Sequence, residues 1–206
     1  MRKGRDPARN RERILRAATA EFARHGLGGA RVDRIAARAG ANKRMLYYYY
    51  GNKDGLFLAA LEEQYARIRS AERALELEHL EPREALRRLM LFTWDYYLDH
   101  PEFMSLLASE NLHRAGHLRK SRRVREMHSP LVKTLREILR RGERAGIFRG
   151  GVDPVQLYIS IAGEGYFYLS NRYTLSQIFG RDLMAPRALA ARARHMADML
   201  VAALRS

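Results

Sequence analysis

The chain has 206 residues, 47% of them hydrophobic, with a formal net charge of +15 and a pI near 10.6. That length and apolar content suit one large or two small globular domains and exclude a disordered chain, while the charge favours a polyanionic partner. No apolar run approaches the roughly 20 residues that span a bilayer, and the lack of cysteine excludes disulfides and thiolate metal sites and suits a reducing cytoplasm, the expected location.

The basicity is uneven. Residues 1–53 hold 14 Lys/Arg against 4 Asp/Glu, a net of +10, which leaves +5 for the rest. An arginine-rich composition accounts for part of the total charge but not for this asymmetry. The opening MRKGRDPARNRERI is basic with no apolar segment behind it, so it does not read as a secretory signal. Residues 1–10 read instead as a flexible arm, broken at Gly4 and Pro7, that could touch phosphates or a minor groove. From Arg9 to His25 the spacing of Ile14, Leu15, Ala18, Phe22 and Ala23 predicts an amphipathic helix, which Gly26 stops.

The next stretch, Val32 to Lys53, reads VDRIAARAGANKRMLYYYYGNK. Val32, Ile35, Ala36 and Ala39 give a short helix one apolar face. Gly40 can take the left-handed backbone that ends it, and Asn42 can cap the helix that follows. In that second helix Met45, Leu46 and Tyr49 or Tyr50 face inward, which leaves Lys43, Arg44, Tyr47 and Tyr48 to point elsewhere. A small alanine-rich helix, a glycine turn and a short helix with basic and aromatic side chains predict a helix-turn-helix for the DNA major groove. Core packing is favoured for Tyr49 and Tyr50, and DNA contact for Tyr47 and Tyr48.

Beyond it, a long amphipathic helix is predicted from Asp54 to Leu77, buried through Leu56, Phe57, Ala60, Leu61, Tyr65 and Ile68. Pro82 to His100, Pro101 to about Gly116, and a segment kinked or opened by Pro130 follow as helices. Asp153-Pro154 opens VQLYISIAGEGYFYLSNRY, a loop surrounds GRDLMAP, and Pro186 to Leu204 closes the chain. No hairpin dipeptide or βαβ rhythm is present. The expected fold is all-α with about nine helices. Residues 1–53 form an arm and DNA-binding domain, and residues 54–206 a second helical domain.

Residues 9–61, through IAARAG at 35–40, LYYYY at 46–50, Lys53, and Leu56-Phe57, resemble the TetR family of bacterial transcriptional repressors. The segment DPVQLYISIAGEGYFYLSNRY is loosely similar to the eighth helix of the pyrimidine-utilisation regulators of that family. The resemblance implies a homodimer whose two heads enter successive major grooves of a palindromic operator. It also implies a C-terminal domain that dimerises and binds a small-molecule effector, which releases the DNA. It makes Tyr47, Tyr48 and Lys53 phosphate contacts and puts Lys43 and Arg44 at the front of the recognition helix, where an Arg can reach guanine O6 and N7. Arg31 stands where the family often has a capping Thr, and Asn42, Arg44 and Met45 stand for Ser, Gly and Thr. Tyr50 replaces the usual Phe, so its hydroxyl needs a partner or an exposed position. The DNA-contacting set is therefore Arg31, Asn42, Lys43, Arg44, Tyr47, Tyr48 and Lys53.

For the effector, aromatic and carboxylate side chains in the C-terminal part are the candidates: Trp94, Tyr97, Glu110, His113, Glu164, Tyr166 and Phe167. Ordinary core packing is the competing reading for each aromatic. Glu110, His113 and His117 fall at i, i+3 and i+7, a spacing that would allow a divalent metal, but Gly116 interrupts them and no Asp or Cys completes a shell, so no metal or other cofactor is expected. Gly163 and Gly165 suit close helix approach at a dimer seam or a pocket wall. An enzyme is the rival class. Against it, the sequence shows no Gly-rich phosphate loop, no nucleophile elbow and no HExxH. A ligand-independent architectural DNA-binding protein is the other alternative, with the same head.

Overall fold

Helix-forming stretches separated by glycine and proline breaks give an all-α chain. The computed structural model describes residues 7–205, among which there are ten α-helices, two short 3-10 turns and no β-strand. In order these are α1 (Pro7–Gly29), α2 (Val32–Ala39), α3 (Lys43–Tyr50), α4 (Lys53–Arg73), α5 (Pro82–Asp99), α6 (Pro101–Leu112), α7 (Arg122–Arg144), α8 (Pro154–Ser170), α9 (Arg172–Phe179) and α10 (Pro186–Ala203).

Several boundaries differ from the sequence expectation, each for a local reason. Residues 1–6 of the expected basic arm lie outside the described residues. Residues 7–10 are not an arm but the first turn of α1, because a proline is well placed at a helix start and Asn10 is already buried. The long fourth helix stops at Arg73 rather than Leu77, and Leu77 tucks into the core from a 3-10 turn beyond it. Helix α6 ends at Leu112, after which Arg114 and Ala115 take left-handed backbone, so Gly116 is not the stop. Pro130 lies inside α7 without ending it. The additional helix, α9, occupies sequence expected as the tail of α8 and a loop. Asn171 interrupts α8, and Gly180, at φ 59°, closes the new helix.

By packing, the described chain divides into two units: residues 7–67 with 100–125, and residues 68–99 with 126–205. In the first, α1 packs against α2 and α6. Ile14, Phe22, Ile35, Leu46, Leu56 and Phe57 form its core, with Phe22 and Phe57 edge to face at 5.1 Å. Burying such side chains stabilises by about 1.5–3 kcal/mol each. In the second, α5 is the central helix and packs against α8 and α10. Its buried face carries Leu86, Leu89, Met90 and Trp94. No helix among the described residues is long and apolar enough to cross a membrane.

Candidate nucleic-acid interface

The first unit builds a rigid turn from three fixed points. Gly40 sits at φ 56°, ψ 37°, the left-handed conformation that closes α2, and its N–H donates to the carbonyls of Ala36 and Ala37. Asn42 caps α3, its side-chain oxygen accepting from the Met45 N–H at 2.9 Å. The third point comes from α1. The Arg13 guanidinium donates to the Ala39 carbonyl at 2.6 and 3.1 Å and to the Gly40 carbonyl at 3.1 Å. A cation there satisfies the free carbonyls at the end of α2 and complements its dipole.

The start of α2 is held from α1 as well. Arg31 is its N-cap residue and makes no side-chain cap. Glu21, buried on α1, accepts from the Arg31 backbone N–H at 3.1 Å and pairs with Arg34. A carboxylate at a helix N-terminus takes up the unpaired N–H groups that a Ser or Thr would otherwise serve. Neither Arg13 nor Glu21 was singled out from the sequence. Glu21 carried a readable signal: it falls in step with Ile14, Ala17 and Ala18 on the apolar stripe, where a charge needs a partner.

Helix α3 presents one face inward and one outward. Leu46 is buried, and Met45, Tyr49 and Tyr50 pack partly against the same core. The Tyr50 hydroxyl donates to the Arg11 carbonyl at 3.1 Å, which supplies the partner that its extra oxygen needs. Burial pushes that hydroxyl's pKa up, with the Arg11 guanidinium opposing. Tyr47 is 46% exposed and Tyr48 84% exposed, and Lys43 and Arg44 are exposed beside them. Lys43 pairs with Asp33 on α2. Lys53, the first residue of α4, donates to the carbonyls of Ala30 at 3.1 Å and Gly28 at 3.4 Å, so it ties the loop before α2 to the end of the reader. Gly55 is required by space. A Cβ there would lie 2.1 Å from the Tyr50 carbonyl oxygen, which is backbone and cannot step aside. The structure thus brings Arg31, Asn42, Lys43, Arg44, Tyr47, Tyr48 and Lys53 into the two helices, turn and adjoining helix start of one unit. It also gives Asn42 and Lys53 structural bonds.

The seven residues expected around an effector are placed differently. Glu110 and His113 belong to the first unit, and Trp94, Tyr97, Glu164, Tyr166 and Phe167 to the second. Glu110 is 1% exposed, and its carboxylate accepts from the backbone N–H groups of His117 and Leu118, both at 2.9 Å, and meets the His117 Nδ1 at 2.7 Å. It is the anchor of the loop after α6. His113 caps α6, with its Nδ1 2.7 Å from the Ser109 carbonyl. Since α6 stops at Leu112, His117 is not on one helix face with the other two. Trp94 and Tyr97 are buried core against Gly165, whose absent side chain lets α8 approach α5. Glu164 pairs with Arg192 at 2.5 Å, Tyr166 is half-buried, and Phe167 is 60% exposed.

A capped, glycine-closed pair of short helices with outward cations and tyrosines, carried by an all-α chain, defines a helix-turn-helix DNA-binding regulator. Residues 14–60 match the model of the bacterial regulatory proteins of the tetR family, and residues 82–200 that of a tetracyclin repressor-like C-terminal domain. The chain belongs to the TetR family; it is a transcriptional repressor of that family and not an enzyme. It is 42% identical over 197 residues to the HTH-type transcriptional repressor NicS of Pseudomonas putida, covering 96% of this chain and 93% of that one. It is 37% identical over 160 residues to the repressor SCO4008 of Streptomyces coelicolor, covering 77% and 78%. Its fold is shared with the regulator SCO4942 of Streptomyces coelicolor, at TM-score 0.71 and 24% identity over 95% of this chain and 98% of that one.

Proposed function

We propose that the protein works as a homodimer on a palindromic operator and that a small molecule releases it, in the cytoplasm of a bacterium. Residues 1–53 serve as the reader, and residues 54–206 dimerise and bind the effector. The observation that carries the reading of the head is the outward face of α3, where Arg44, Tyr47 and Tyr48 stand exposed on a helix anchored from behind by Leu46 and Tyr50. In this reading Tyr47, Tyr48, Lys53 and Arg31 position phosphates, and Lys43 and Arg44 reach base edges or the adjacent backbone.

Dimerisation is supported by the second unit. Val155, Ile159, Gly163 and Phe167 recur at every fourth residue of α8 and are all exposed, a stripe that water does not favour. Gly163 has no heavy atom within 4 Å of where its Cβ would lie, so a partner helix can approach there. Tyr173, Ile178 and Phe179 on α9 extend the exposed apolar surface. The test is sedimentation of the wild type and Ile159→Asp, with footprinting on the chain's own promoter. A dimer that protects two half-sites, and a monomeric variant that protects neither, is the expected result. A wild-type monomer that protects a single half-site would overturn the reading.

A further inference from the structure

The second unit contains a cavity of about 240 Å³ with a buried ionic floor and mixed walls, to which Arg73, Glu78 and Thr134 add polar groups. Arg69 and Glu72 of α4 form the floor, and Leu77, Met127, Pro130 and Leu131 contribute to the walls. It is smaller than the roughly 300–1,000 Å³ pockets that hold drug-sized ligands, so it suits a fragment-sized one.

The floor is incompletely bonded. Arg69 is 2% exposed and Glu72 5% exposed. The Arg69 Nη1 lies 2.9 Å from the Glu72 Oε2, yet the contact lacks hydrogen-bond geometry. The Arg69 Nε and Nη1 and the Glu72 Oε2 all lack a hydrogen bond. Only Nη2 is bonded, donating one of its hydrogens to the Tyr158 hydroxyl at 3.1 Å, and the guanidinium lies 5.3 Å from the centre of the Tyr158 ring. Nη2 has a second N–H, and with either unbonded neighbour, Nε or Nη1, it completes a two-donor edge matched to a planar anion that accepts two parallel hydrogen bonds. Glu72, adjacent in the helix at i+3, supplies the charge but not the alignment.

We propose that this cavity binds a small monocarboxylate, whose carboxylate replaces Glu72 on such an edge of the Arg69 guanidinium while its apolar body lies against Leu77, Met127 and Leu131. That it is the effector site rests on the reading of the protein as a ligand-released repressor. When the acid binds, Glu72 takes a proton from solvent and becomes a neutral carboxyl, so the floor keeps one buried anion for one buried cation. Burial already pushes the Glu72 carboxyl up to about 7, against the pull of Arg69 and Arg73, so its neutral form is within reach near neutral pH. Arg69 stands on α4, the same helix that begins with Lys53 at the end of the reader.

The test is calorimetric titration of the full chain with benzoate and hexanoate, each against its uncharged amide, for the wild type and two variants. Glu72→Gln keeps the shape and removes the competing charge. The double variant R69M/E72M removes both charges together, so it strands neither ion and preserves folding where Arg69→Met alone would not. The expected result is at least about tenfold tighter binding of an acid than of its amide by the wild type. Tighter acid binding by E72Q and loss of the preference in the double variant complete the pattern. An absent preference in the wild type for both acids, or a preference that survives in the double variant, overturns the site. Promoter release measured in parallel separates the two readings. Acid binding that leaves DNA bound keeps the site and removes its control of the operator. A metabolite that releases wild type and double variant alike keeps ligand control and places it elsewhere.

Discussion

The two units differ in how completely their buried ionic groups are bonded. In the unit that holds the helix-turn-helix, Glu21 serves the start of α2, Arg13 and Lys53 bond backbone carbonyls, and Glu110 accepts two backbone N–H groups and meets a histidine. Each charge fixes a loop or helix end. In the other unit Arg141 also bonds backbone carbonyls, those of Leu80 and Leu77, and Arg192 pairs with Glu164, but Arg69 and Glu72 touch without hydrogen-bond geometry. A fully bonded charge holds one conformation, because moving it would expose an unpaired group at a cost of about 1–3 kcal/mol or more. A partly bonded one gains by finding another partner. The difference teaches where the fold leaves donors to spare: the charges around the helix-turn-helix are spent on loop and helix ends, and those of the Arg69–Glu72 floor are not.

Removing Glu110 should break the comparison most severely. Glu110→Ala leaves two backbone N–H groups and the His117 ring unpaired in a buried loop, so urea unfolding should show a loss of about 3–5 kcal/mol. A loss below about 1 kcal/mol would mean that water replaces the carboxylate and that the head is less rigid than its bonding indicates. Glu72 should behave in the opposite sense. Its carboxyl is held at about 7 in the fold against 4.5 for the free group. The unfolded chain therefore loses the proton first as pH rises, and the native state is progressively penalised between about pH 4.5 and 7, with no further change above. Unfolding at pH 5 and pH 8 should show the stability of E72Q rising relative to wild type by up to about 3 kcal/mol. A constant difference would show that Glu72 is charged throughout.

Two smaller effects separate the kinds of contact made by α3. Arg44→Ala should relax the preference at particular base pairs by about 1–3 kcal/mol in competition binding. A loss that is equal for all sequences would make Arg44 a phosphate contact. Tyr47→Phe removes one hydroxyl and should weaken binding by about 1 kcal/mol on every operator alike. Unchanged affinity would take Tyr47 out of the phosphate set.

The outline of the reader was legible because its signals are local. Apolar spacing at Ile35 and Ala36, a glycine at position 40 and an Asn at position 42 each act within one helical turn. The structure puts the left-handed residue and the cap at those positions. The exposure of Tyr47 and Tyr48 against the burial of Leu46 followed from the same period. The division of α8 and α9 was not legible, since Asn171 breaks no pattern in an apolar stretch and the stop depends on local bonding of its side chain to the Phe167 carbonyl.

What the sequence determined by itself was therefore short-range: an all-α chain, a capped and glycine-closed pair of short helices, and a basic front quarter. What only the tertiary structure decided was which side chains meet across long separations. Arg13 reaches Ala39, Glu21 reaches Arg31, and Glu110 turns from an expected pocket group into the anchor of a loop. Arg69 and Glu72 are neighbours in the helical period, yet nothing in the sequence marks them as buried beside a cavity. Periodicity reports which face of a helix is apolar. It does not report what packs against that face, and the partners of a buried charge are set by that packing.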